Sequence, residues 1–182
     1  MDGDTPIRLL ITLSGGRHEL SSEALLIARI APPYYLFKDH SADVVLATPL
    51  GGFPALLPPI RQTLHQDALA QRFLSDRTAR DDLAETLSLA QIVTEDFDAA
   101  FCIDMSEAGQ AGGDDAFMPT ARSFLASGKP VAIVPGSARS LPPAEAASGL
   151  LILGGSREAP LLAAHALLKV AQERRHIRAG TA

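Results

Sequence analysis

The chain has a single cysteine, Cys102, so it cannot form an intramolecular disulfide. A lone cysteine fits a reducing compartment. The chain also lacks any run of about 18 apolar residues, the length that a membrane-spanning helix needs. Its first residues, MDGDTPIRLL, are acidic and contain only a short apolar stretch, unlike a secretory signal peptide. We therefore expect a cytoplasmic protein that has no membrane partner.

Positive charge is scarce. Sixteen Lys and Arg residues stand against 21 Asp and Glu residues, which gives a formal net charge of -5. Nucleic-acid-binding domains usually carry a basic patch or stripe, so we do not expect nucleic acid as a partner. The one basic stretch, ERRHIRAG near the C-terminus, is more typical of positive charge at the C-terminal end of a last helix.

What the chain does contain is typical of a globular domain. Its 182 residues are 47 % hydrophobic and 20 % charged. That length and composition suffice for one domain with a sizeable core, and we expect residues 1–182 to form a single domain. No internal repeat or long linker divides the sequence.

Short aliphatic runs bounded by Gly, Pro or Asp alternate with longer helical patterns. Helices are predicted over Thr78–Ala90, Ala116–Ser127 and Arg157–Arg174, the last with a sheet-facing stripe at residues 161, 162, 165, 168 and 169. Such alternation predicts an α/β fold with a mostly parallel sheet between two helical layers. The predicted strands are Ile7–Leu13, Asp43–Thr48, Asp98–Ile103, Pro130–Val134 and Leu150–Gly154.

Ligands of such sheets bind outside the carboxyl ends of the strands, where the strand order reverses. Three loops should converge there: Ser14–His18, Asp104–Gln110 and Pro135–Arg139. We expect any chemistry of the protein at this edge.

Several segments, in order, resemble the DJ-1/PfpI superfamily. PPYYLFKDHSADVVLATPLGGFP (Pro32–Pro54) resembles its Hsp31-like branch, where a helix with a Pro-Tyr pair leads into a strand that ends in Ser/Thr-Pro before Gly-Gly. FLASGKPVAIV (Phe124–Val134) resembles the strand that feeds the nucleophile elbow of that family, and LLILGGSREAPLLAAHALL (Leu150–Leu168) its closing strand and last helix. The resemblance implies a flavodoxin-like, DJ-1-like three-layer sandwich of the class I glutamine amidotransferase type, commonly a homodimer.

The catalytic motifs of the family are missing from this sequence. The family's elbow reads Ala-Val-Cys-His-Gly-Pro, and its cysteine and histidine fall on Pro135 and Gly136. Its Gly-Gly-His-Gly loop falls on residues 104–107, and its glutamate falls on Arg29. Proline carries no nucleophile and no N–H to donate. The resemblance therefore implies a catalytically degenerate protein, without a cofactor, that binds a small molecule or another protein in a regulatory or stress-related role.

The residues expected to line the former active-site crevice are Gly15, Gly16, Arg29, Asp104, Met105, Pro135, Gly136 and Ser137.

Two other functions stay open. A divergent hydrolase or lyase, with glyoxalase-, deglycase- or amidase-like activity, could have rebuilt its site around Ser137, Asp104 and His18. The second open function is that of a structural or interaction subunit that binds no ligand. Cys102 lies in an apolar strand and is expected to be a buried, inert thiol. The acidic loop after Asp104 lacks the Asp-x-Asp-x-Asp-Gly pattern of a cation site, so no metal is expected.

Overall fold

The computed structural model describes residues 5–14, 20–52, 67–104, 117–134, 149–153 and 159–180. Six strands in these ranges form one sheet in the order β3-β2-β1-β4-β5-β6, and every neighbouring pair is parallel. Without the two-residue edge strand β3, this is the flavodoxin-like order, which confirms the predicted fold class. The strands are β1 (Arg8–Ser14), β2 (Asp43–Thr48), β3 (Leu87–Ser88), β4 (Ala99–Asp104), β5 (Val131–Val134) and β6 (Leu151–Leu153).

Five α-helices in the described ranges accompany the sheet. They are α1 (Leu20–Asp39), α2 (Ala68–Ser75), α3 (Arg77–Ala84), α4 (Met118–Ala126) and α5 (Ala159–Gly180). Two 3-10 turns, Leu89–Gln91 and Thr94–Asp96, precede β4. All five predicted strands are present, each with ends within one residue of the prediction.

The prediction of one helix over Thr78–Ala90 is wrong in its second half. Helix α3 ends at Ala84, and the chain then forms β3, in which Leu87 pairs with Ala47 and Ser88 pairs with Thr48. Thr86 helps to end the helix because its buried hydroxyl donates to the carbonyl of Leu83 (2.5 Å). Pairing with a distant strand overrides the local helical pattern here.

The predicted sheet-facing stripe of the last helix is also wrong, except at Leu168. Leu161 and Leu162 are 40 % and 71 % exposed, and the side chains of His165 and Lys169 face solvent. The residues of α5 that are buried are Ala163, Ala164, Leu167, Leu168 and Ala171. Alanine occupies most of this face, so the helix axis can approach the sheet closely.

Alternate residues of the strands fill two apolar layers. On one face, Leu9, Ile11 and Leu13 of β1 pack in a cluster with α1, α2, α3 and α5. On the other face, Leu10 of β1 lies in a second cluster with residues of α4. The period-two alternation along β1 thus builds the three-layer arrangement from a single apolar run.

Two tyrosines of α1 fix α2 and α3 against it. The Tyr34 hydroxyl donates to Asp82 Oδ2 of α3 (2.7 Å), and the Tyr35 hydroxyl donates to Asp76 Oδ2 (3.0 Å). Asp76 also caps the N-terminus of α3, since its other oxygen accepts from the amide of Thr78. The Pro-Tyr segment of the sequence is therefore where three helices join.

The turn after β2 requires glycine. Gly51 has φ +74, and a Cβ at this position would lie 2.9 Å from the amide nitrogen of Ser88. A side chain there would both strain the backbone and clash with the main chain at the end of β3.

Lys129 joins the start of β5 to the segment before β4. Lys129 is only 8 % exposed, and its Nζ donates to the carbonyls of Thr94 (2.6 Å), Glu95 (3.0 Å) and Phe97 (2.5 Å). A buried ammonium is stable only with such partners. These three bonds fix the amino end of the sheet at β4 and β5.

In the part of the chain that the structure describes, no helix combines the length and the apolar character that crossing a membrane requires.

Candidate functional site

The strand order reverses between β1 and β4. From β1 the chain passes to β2 on one side, and it later enters β4 on the other side. The last residues of the two strands, Ser14 and Asp104, are register partners. Because crevices of open α/β sheets lie outside the carboxyl ends at such a reversal, this point is the candidate site.

Arg29 reaches this edge from α1. Its Nη1 donates to the main-chain carbonyl of Asp104 at 2.7 Å, although the two residues are 75 positions apart in sequence. The residue is half-buried, and this burial lowers the pKa of the guanidinium, while the negative charge of Asp104 acts in the opposite direction. The group remains charged at any physiological pH. It therefore places a partly desolvated positive charge beside the carboxyl end of β4.

Below this edge lies the thiol of Cys102. The residue is fully buried, which confirms the expected burial, and burial raises the pKa of the thiol to about 12. A thiol with that pKa is almost entirely protonated near neutral pH and is a poor nucleophile.

Thr12 is the register partner of Cys102 on β1 and is also fully buried. Its hydroxyl is close enough to the thiol to offset part of the rise in the pKa. Even so, Thr12 Oγ1 makes no hydrogen bond of ordinary distance and angle among the described residues. A buried hydroxyl without a partner is costly, and such atoms often mark strain or a ligand contact. The only sequence signal for this residue is one polar side chain inside the apolar run Leu9–Leu13.

Of the predicted site residues, the structure brings Arg29 and Asp104 into contact. Together they place a guanidinium and a strand-end carboxylate at the reversal of strand order. This pair can bind and orient a polar group. The other predicted residues lie outside the described ranges, namely Gly15, Gly16, His18, Met105, Pro135, Gly136 and Ser137.

Metal-ligand clusters are missing from the same ranges. No group of three or more His, Cys, Asp or Glu residues that could hold an ion occurs among the residues that the structure describes.

The chain matches no family model and no curated protein. Two solved structures share its fold. The 24 kDa rapid encystment protein of Francisella tularensis, REP24, is 14 % identical over 70 % of this chain, with a TM-score of 0.50. The crystal structure of APC35852 is 16 % identical over 93 % of this chain and 100 % of that chain, with a TM-score of 0.57. This chain aligns with only 58 % of the length of REP24. At these identities the likeness shows an α/β fold with a parallel sheet and no more.

Proposed function

We propose that the protein is a catalytically degenerate relative of the DJ-1/PfpI superfamily that binds a small molecule in the crevice at the carboxyl ends of β1 and β4. The observation that carries the proposal is the Arg29 guanidinium, half-buried and hydrogen-bonded to the last carbonyl of β4. Burying part of a charged group costs free energy, so a half-buried charge usually has a bonding role that offsets this cost.

Two further points favour binding over catalysis. The single cysteine of the chain, Cys102, lies near this edge with its thiol buried and protonated. By the resemblance to the superfamily, Pro135 stands where the nucleophilic cysteine would be, and Arg29 stands where a glutamate would lower the pKa of that cysteine. An arginine cannot accept a proton, so it cannot take over the role of the glutamate.

In this proposal the protein is cytoplasmic, forms a homodimer as the superfamily commonly does, and has a regulatory or stress-related role. Its mass in solution is then twice the 19.2 kDa of one chain. Light scattering coupled to size-exclusion chromatography measures this directly.

Native mass spectrometry tests the binding function. Protein purified without denaturants should carry a co-purified small molecule, and the Arg29→Met variant should lose it. Arg80→Met is the matched control, because Arg80 is an exposed arginine on α3. It should keep the ligand. No bound molecule in any of the three proteins would contradict the proposal and favour an interaction subunit.

Turnover measurements separate binding from a rebuilt enzyme. Highly purified protein should show no glyoxalase, deglycase or amidase activity above a heat-denatured sample. Activity that disappears in the Asp104→Asn variant would instead establish the hydrolase or lyase alternative. Asp104 serves for this variant because it is the acid at the carboxyl end of β4.

A further inference from the structure

Two histidine rings meet away from the crevice, where α1 packs on α5. His40 directly follows α1, and His165 lies on α5. Their ring centres are 6.4 Å apart and their planes are at 89°. Both residues are exposed to solvent.

The tautomer of His40 is fixed by its own helix. Nδ1 lies 2.8 Å from the carbonyl oxygen of Leu36. A carbonyl can only accept, so in the neutral ring Nδ1 carries the proton and Nε2 carries the lone pair. Histidines that bind metals usually donate their other ring N–H to such a group, which orients the ring and raises its basicity. His40 thus has the second contact of a metal-binding histidine.

We propose that His40 Nε2 and a ring nitrogen of His165 bind one late first-row divalent ion, of the class Cu(II), Ni(II) or Zn(II). Neutral imidazole is a preferred ligand of these ions. Two imidazoles on one tetrahedral ion have ring centres about 5 Å apart, given metal–nitrogen bonds of about 2.0–2.1 Å. The present separation is little more than an ångström larger, and rotation of the exposed His165 side chain closes it while His40 keeps its contact with Leu36. Water completes the coordination.

The ion would link the C-terminal end of α1 to α5, two helices of the same apolar layer. Since the two histidines are distant in sequence and meet only when the chain is folded, the ion favours the folded state. A free ion concentration one hundred times the dissociation constant then raises the melting temperature by about 5–10 °C for a chain of this size.

The test uses the full chain and three variants, His40→Gln, His165→Gln and His176→Gln. His176 is the matched control. It is exposed on α5, its Nδ1 lies 2.7 Å from the carbonyl oxygen of Gln172, and no ring contact is found for it among the described residues. Two probes are used. CuCl2 binding is detected by electron paramagnetic resonance, which shows the nitrogen ligands of the ion. ZnCl2 binding is detected by the melting temperature of the protein.

The wild type and His176→Gln should show a two-nitrogen copper signal and a rise in melting temperature with zinc. His40→Gln and His165→Gln should each lose both signals, because one of the two protein ligands is gone. Equal binding by all four proteins, or loss of binding in His176→Gln alone, would overturn the proposal. Neither readout depends on Arg29 or on a crevice ligand, so the outcome is separate from that of the proposed function.

Discussion

Replacing Lys129 with Met should destabilise the fold by about 3 kcal/mol. The ammonium donates to three main-chain carbonyls at 2.5–3.0 Å, and the residue is 8 % exposed. A hydrogen bond from a charged group contributes about 1.5–3 kcal/mol net, but three bonds to one atom do not add fully. Methionine retains the packing of the apolar stem and avoids the cost of burying a charge, which offsets part of the loss.

Urea denaturation measures this change as a lower midpoint with an unchanged slope. The melting temperature should fall by about 6–12 °C. Lys169→Met is the control, because Lys169 is exposed on α5, and it should change stability by less than about 0.5 kcal/mol. Equal stability of the wild type and the Lys129→Met variant would refute the reasoning. It would mean that desolvation of the ammonium cancels all three bonds.

Three other outcomes follow from the buried polar groups. Thr12→Val should stabilise the protein by about 1 kcal/mol in urea denaturation. The change removes a buried hydroxyl that has no hydrogen bond among the described residues. A loss of stability would show that the hydroxyl is bonded. Tyr34→Phe should cost about 1 kcal/mol, since it removes the 2.7 Å bond to Asp82, and an unchanged urea midpoint would count against that bond. In alkaline solution stability should fall as pH rises above about 9. Burial raises the pKa values of Cys102 and Tyr34 in the folded state. At alkaline pH the unfolded chain therefore releases these two protons while the folded state still holds them, which favours unfolding. Urea midpoints between pH 8 and 11 measure this fall, and Cys102→Ala should flatten the part between pH 9 and 10.

The strands of this protein are predictable because their apolar runs are continuous and bounded by Gly, Pro or Asp. The helix over Thr78–Ala90 was mispredicted because β3 exists only through pairing with Ala47 and Thr48, some 40 residues earlier, as the register shows. The face of the last helix was mispredicted because leucines dominate its hydrophobicity, yet most of the buried positions are alanines. Periodicity locates an element better than it locates the side that packs.

The candidate site was predictable as a place but not as a set of contacts. The order of strands and helices points to the carboxyl ends of β1 and β4, and Asp104 ends a recognisable strand. The bond from Arg29 to the carbonyl of Asp104 depends on how far α1 leans over the sheet, and no local pattern encodes that. The same holds for Thr12. Alternation assigns the face of the sheet that it occupies, whereas the absence of a well-formed hydrogen bond to Oγ1 within the described ranges depends on everything packed around it.

Charged side chains have different roles at the two ends of the sheet. We expect those at the amino end to stabilise the fold and Arg29 at the carboxyl end to bind the ligand. At the amino end, Lys129 is bonded to carbonyls of its own chain, and the Arg8 amide donates to Asp98 (2.9 Å). At the carboxyl end, Arg29 holds the last carbonyl of β4, next to the proposed crevice. Lys129→Met should therefore lower stability and leave ligand retention unchanged. Arg29→Met should abolish ligand retention and cost less stability than Lys129→Met, because it removes the bond to the carbonyl of Asp104, whereas Lys129→Met removes three bonds to main-chain carbonyls. Because Arg29 and Lys129 bond to carbonyls at opposite ends of β4, the double variant should show the sum of both effects to within about 0.5 kcal/mol in stability. A larger deviation would mean that the crevice and the amino end of the sheet are coupled through β4 and β5.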